Sequence, residues 1–214
     1  MKKHIICLGD SNTHGYRAET GGRFDENHRW TCLLQQKLGS GYLILEEGLS
    51  GRTTCFPDPI HEGLNALDYI YPCLMSHEPV DLLVIMLGTN DTKERFGSSA
   101  ACIALGLKRL ILKAKAVADC WKDGIPNILV IVPQNIDPRY YQTEIGATMG
   151  AGCAEKSSLL AAEYEKIAHL TGCHYLDANQ VLTAPPNNID YMHLTEKGHA
   201  QLAEALAEKI PQIV

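Results

Sequence analysis

Apolar positions fall into two kinds of block that alternate along the chain. Short, nearly unbroken runs at residues 4–8, 42–46, 82–87, 128–132 and 174–176 read as buried strands. Between them, stretches near 28–38, 62–77, 100–121 and 154–170, and a last one from about 195 to 210, read as helices. Within 154–170, Leu160, Tyr164, Ile167 and Ala168 recur at i, i+4, i+7 and i+8, which is one helical face. Strand and helix in strict alternation predict a parallel sheet wound by helices on both faces. No repeat, low-complexity tract or linker interrupts the pattern, so one domain over residues 1–214 is expected. Two polar stretches read as irregular: 17–27, with Gly21-Gly22, and 133–150, with Pro133, Pro138, Gly146 and Gly150. They follow the first and fourth strands and read either as functional loops or as mobile surface.

Composition narrows the partners. The formal net charge is −6, and no basic cluster stands out, which argues against nucleic acid. No apolar run approaches a membrane span. Met1-Lys2-Lys3 followed by an apolar run faintly suggests a leader, but the run is short and cleavage there would remove the first strand. A cytoplasmic protein is expected. The 8 cysteines are scattered, with no Cys-x-x-Cys, which suits buried thiols in a reducing compartment rather than disulfides or zinc.

Chemistry gathers at four places, each a strand end or a loop. Gly9-Asp10-Ser11 leaves the first strand, and a serine at the mouth of a parallel sheet is an exposed nucleophile if a histidine reaches it. The same tripeptide also serves as an ordinary turn or cap. Glu46-Glu47-Gly48-Leu49-Ser50-Gly51-Arg52-Thr53 leaves the second strand, and Gly51 lets the backbone approach a ligand and present its N–H, or simply makes a turn. Gly88-Thr89-Asn90-Asp91 follows the third strand, where ligands bind in open α/β sheets. The Asn90 amide is a donor for a developing oxyanion, whereas Asp91 reads better as a turn or helix cap. Asp190-Tyr191-Met192-His193 precedes the last helix; a carboxylate three residues before a histidine can accept its Nδ1–H and leave Nε2 as a base. With 9 histidines present, that spacing alone carries little weight. Thr195 reads as the N-cap of the helix that follows.

The ordered set of Ser, Gly, Asn and Asp-x-x-His resembles the SGNH hydrolase superfamily, the GDSL esterases and lipases, and looks closest to its small arylesterase and acyltransferase branch. The stretches that carry the resemblance are Gly-Asp-Ser-Asn-Thr-His-Gly (9–15), Glu-Glu-Gly-Leu-Ser-Gly-Arg-Thr-Thr (46–54) and Met-Leu-Gly-Thr-Asn-Asp-Thr-Lys (86–93). It implies a three-layer α/β sandwich with a five-stranded parallel sheet in flavodoxin-like order 2-1-3-4-5. It implies Ser11 as nucleophile, His193 as general base and Asp190 as the residue orienting it. The implied oxyanion hole is the N–H of Ser11, the N–H of Gly51 and the side-chain amide of Asn90. It further implies no cofactor or metal, small short-acyl esters such as aryl esters or acetylated sugars, acyl transfer to alcohols as a companion activity, and a homo-oligomer. Two positions depart from the family: Asn12 stands where Leu is common, and Glu46 where Asn is common.

The main rival is a flavodoxin-like module, with Ser11-Asn12-Thr13-His14-Gly15 holding the FMN phosphate; it leaves Asn90, Asp190 and His193 without a task. An inactive interaction module on the same fold would show a damaged set, and this set is intact. Neither Gly-x-x-x-x-Gly-Lys-Ser/Thr nor Gly-x-Gly-x-x-Gly occurs at these turns. His193 and His199 lack the partnered motif of a metal site. His14 reads as a loop or packing residue, Trp121 as helix-face packing, and Trp30 as packing or pocket border.

Overall fold

The computed structural model describes residues 1–214. Five strands, β1 (Lys3–Gly9), β2 (Tyr42–Gly48), β3 (Leu82–Met86), β4 (Ile128–Val132) and β5 (His174–Asp177), form one sheet in the order β2-β1-β3-β4-β5. Every pairing in it is parallel. In that register Gly9 lies opposite both Gly48 and Met86, so three strands end level.

The strands are apolar on both sides, and period-two alternation divides them between two cores. Ile5, Cys7, Leu82 and Val84 face α1 (Trp30–Leu38) and α5 (Glu196–Lys209) through Trp30, Leu34, Leu202 and Leu206. Ile6, Leu8, Leu83 and Ile85 face α2 (Ala66–Ser76), α3 (Ala100–Lys115) and α4 (Cys153–Thr171) through Ile70, Leu107, Ile111 and Leu160. Burying each such side chain contributes about 1.5–3 kcal/mol relative to leaving it in water. The result is the three-layer sandwich with the expected strand order.

The alternation continues past the apolar part of β2, an edge strand. Glu46 accepts from Arg29 Nε and Nη2, both at 3.0 Å, and from Thr31 Oγ1 on the α1 side. Glu47 accepts from Tyr69 Oη at 2.8 Å and bonds His77 Nε2 at 2.6 Å on the α2 side. Charged residues therefore extend this strand to Gly48, two residues beyond the apolar run.

Several boundaries move for local reasons. The helix expected over 100–121 stops at Lys115. Beyond it Val80 N–H donates to Cys120 O at 2.8 Å and Lys122 N–H to Val80 O at 2.9 Å, so the chain at Trp121 is extended. Trp121 packs beyond the helix, its Nε1–H on Ala114 O. The helix expected over 62–77 starts at Ala66, because Thr53 N–H takes Leu64 O and Asn65 caps the first turn through Leu67 N–H. The helix expected from 28 starts at Trp30, with the Arg29 side chain committed to Glu46. The two polar stretches are less irregular than expected: Tyr16–Arg17 pairs with Gly22–Arg23 in a short ribbon, and 133–150 contains a 3₁₀ turn, Pro138–Gln142, and a helix, Glu144–Met149. Thr195 caps α5 as expected, its side chain accepting from Gly198 N–H.

Candidate active site

Ser11 opens a one-turn helix, Ser11–His14, at the end of β1. Asp10 shapes that turn: its Oδ1 accepts Asn12 N–H at 2.9 Å and its carbonyl accepts the N–H of Thr13 and His14. Gly48 lets the turn rest on β2, since a Cβ there would lie 2.2 Å from His14 N. As the first donor of the turn, Ser11 N–H has no intrachain acceptor.

The chain returns to Ser11 near its other end. His193 Nε2 lies 2.7 Å from Ser11 Oγ, and His193 Nδ1 lies 2.7 Å from Asp190 Oδ2. The carboxylate fixes the tautomer, so Nδ1 carries the proton and Nε2 accepts from the serine hydroxyl. Asp190 Oδ1 accepts Met192 N–H and His193 N–H, each at 3.0 Å, and Asn187 Nδ2 at 2.8 Å. Burial works to raise the Asp190 pKa, but the hydrogen bonds and charge of His193, with those backbone donors, hold it at about 2. The ring of Tyr16, from the short ribbon, packs against His193 with centroids 4.6 Å apart.

A second group of donors faces the end of β1. Gly51 has φ +88, the left-handed region that favours glycine, and its N–H has no intrachain acceptor. Its loop is anchored two residues before the serine: Leu49 N–H and Arg52 Nη1 both donate to Gly9 O, each at 3.1 Å. Asn90 is buried and spends one amide proton on Arg52 O at 3.2 Å, leaving the other without a protein partner. Asp91 is not the expected cap of its own turn. Its Oδ1 accepts Thr54 N–H at 2.9 Å and Thr54 Oγ1–H at 2.5 Å, tying the Asn90 turn to the Gly51 loop. Burial pushes the Asp91 pKa up to about 6 against those bonds. A cleft of about 410 Å³ adjoins this loop; Leu64 lines it and packs against Gly51.

The structure thus joins Ser11, His193 and Asp190 in one hydrogen-bonded chain, and ties Gly51 and Asn90 together beside it. A hydroxyl polarised by an oriented imidazole, next to N–H groups free to take an anion, can attack an acyl carbonyl. Sequence reasoning missed Asn187, which closes the loop carrying Asp190: its Oδ1 accepts Ile189 N–H and Asp190 N–H at 2.9 and 3.0 Å, and its Nδ2 also donates to His193 O. It missed the Tyr16 contact as well.

The loop read as an FMN cradle is closed, since Asn12 and Thr13 are buried and Ser11 Oγ is held by His193. Trp30 is fully buried and packs in the core between α1, α5 and the sheet. His199 is buried, accepts Trp30 N–H on Nδ1 at 3.3 Å, and burial lowers its pKa to about 3. No group of three or more His, Cys, Asp or Glu is arranged to hold a metal ion.

Residues 7–201 match the model of the GDSL-like lipase/acylhydrolase family. Among solved structures, the chain resembles the aryl esterase of M. smegmatis, with 35% identity, a TM-score of 0.89 and coverage of 99% of this chain and 100% of that one. It also resembles Est24, a carbohydrate acetylesterase from Sinorhizobium meliloti, with 33% identity, a TM-score of 0.88 and all of both chains covered. A member of the lipolytic protein G-D-S-L family from Veillonella parvula, at 16% identity and TM-score 0.71 with 98% and 99% of the two chains covered, shares the fold. No curated protein matches the chain by sequence.

Proposed function

Because the chain belongs to the GDSL-like lipase/acylhydrolase family, and is a carboxylic ester hydrolase, we propose that Ser11 is its nucleophile, His193 its general base and Asp190 the residue orienting that base. The single observation that carries this reading is the continuous chain Asp190–His193–Ser11, whose last link joins residues 182 positions apart. Ser11 Oγ attacks the ester carbonyl carbon while His193 Nε2 takes its proton. The tetrahedral oxyanion is held by Ser11 N–H, Gly51 N–H and Asn90 Nδ2. As the C–O bond breaks, the imidazolium returns the proton to the leaving alcohol. Water then attacks the acyl-enzyme with His193 again as base, releasing the acid and restoring Ser11.

The substrate class we infer is small esters with short acyl groups, of aryl alcohols or sugars, in keeping with the relatives' aryl and carbohydrate esterase chemistry. Acyl transfer to alcohols finds no support in these comparisons. A homo-oligomer in the cytoplasm belongs to the same reading. The 8 cysteines are all free, and no helix is long and apolar enough to cross a membrane.

Ser11→Ala tests the assignment. With p-nitrophenyl acetate, kcat should drop by at least about 1,000-fold while thermal unfolding is unchanged, as for loss of a triad nucleophile. A serine-directed phosphonate should label Ser11 alone. Activity of Ser11→Ala within about tenfold of the parent, a barrier change near 1.4 kcal/mol, would sink the reading.

A further inference from the structure

Asn12 departs from the Leu common in the family, and it makes a bond that leucine cannot. Its Oδ1 accepts Leu194 N–H at 2.9 Å, joining the residue after the serine to the residue after the histidine. Both residues are buried, so no water competes for that N–H. Asn12 is itself held: its own N–H donates to Asp10 Oδ1 at 2.9 Å. The peptide unit that carries Leu194 N–H is gripped at its other end, where His193 O accepts Asn187 N–H at 3.0 Å and Asn187 Nδ2 at 2.9 Å, so Asn12 supplies its hydrogen bond on the serine side. The link therefore runs parallel to the Ser11 Oγ–His193 Nε2 contact and lies one residue beyond it on each strand of the junction.

We propose that Asn12 is a positioning residue that sets the distance between Ser11 and His193 through its bond to Leu194 N–H. This rests on the assignment of Ser11 and His193 above. The registration is a directional bond, and a shift of the histidine loop by a fraction of an ångström breaks it.

Asn12→Leu and Asn12→Ala both remove the acceptor, the first with the branched heavy-atom skeleton kept and the second as a reserve if the bulkier leucine does not fold. Three measurements are made: p-nitrophenyl acetate kinetics, thermal unfolding, and hydrogen exchange at the Leu194 amide. The expected result is a kcat lower by about tenfold, or about 1.4 kcal/mol in the barrier, with KM within twofold and Leu194 N–H exchange sharply faster. A stabilising role alone would lower the melting temperature and leave kcat in place. So kcat within twofold of the parent in a folded variant overturns the proposal, whatever the melting temperature. Ser11→Ala measured beside them separates the two readings. If Ser11→Ala is active the serine assignment fails; if it is inactive while Asn12→Leu keeps its kcat, only the positioning role fails.

Discussion

Asp190 accepts four hydrogen bonds and keeps its charge in a buried setting. With its pKa held at about 2, it stays ionised throughout the range in which an imidazole titrates. The charge next to Nδ1 holds the imidazole in the tautomer that leaves Nε2 to accept the serine proton, and it stabilises the positive ring that forms in the transition state. In Asp190→Asn the ring loses that anionic partner and its fixed tautomer, so the rate should fall, by as much as about 10⁴-fold as in other triads. A rate unchanged in Asp190→Asn would remove Asp190 from the mechanism. The Asp-x-x-His spacing was legible in the sequence because a local turn makes it. Asn187 was not legible, because nothing in one sequence separates it from its neighbour Asn188. Its role is created by the loop folding back on Asp190.

Elements were legible wherever periodicity alone decided them. α4 runs over Cys153–Thr171, close to the expected 154–170, because its apolar face is regular. α3 was read six residues too long because the apolar residues after Lys115 serve the pairing of Val80 with Trp121, which is a tertiary contact. The same limit applies to Gly48. It reads as turn punctuation, but it ends a strand, and what requires a glycine is the backbone of Thr13 and His14 lying across it. A methyl group at that place meets main chain, which cannot rotate away. Gly48→Ala should push the Ser11 turn off the sheet, costing about 1–3 kcal/mol as overpacking does and lowering kcat with it. Gly41→Ala, where a Cβ meets nothing within 4 Å, is the control and should change neither. Equal behaviour of the two variants in denaturant titration and kinetics would show that the contact does not hold the turn.

For the whole molecule, the strand order followed from the resemblance and the layering from alternation, and both match the structure. Stability against pH was not legible, since it depends on which ionisable groups become buried. His199, with its pKa lowered to about 3, is neutral when folded and protonated when unfolded below about 6.5. Its contribution is present above the unfolded value and is lost as pH falls from about 6.5 toward 3. Asp91 has the opposite sign: raised to about 6, it contributes fully below its unfolded value of about 3.9 and loses that as pH rises through 6. Between about pH 6 and 3.9 unfolding takes up one proton at His199 and releases one at Asp91, so their slopes cancel, and this pair makes unfolding free energy decline on acidification only from about 6.5 to 6 before it levels off. His199→Gln, which keeps an acceptor for Trp30 N–H, should remove that decline and turn the level stretch into a rise on acidification, and Asp91→Asn should carry the decline on through it. Urea titrations at half-unit steps read both slopes; a parent slope unaltered in His199→Gln refutes the account.

The Ser11–His193 contact joins residues 182 positions apart. The nucleophile is made long before its base, and only after the base can α5 seal the sheet. Contacts this distant in sequence close slowly, after local structure has formed. Esterase turnover is therefore a readout of folding: a chain that lacks residue 193 displays its serine but hydrolyses nothing, and the first burst of product marks the moment these two distant segments have met.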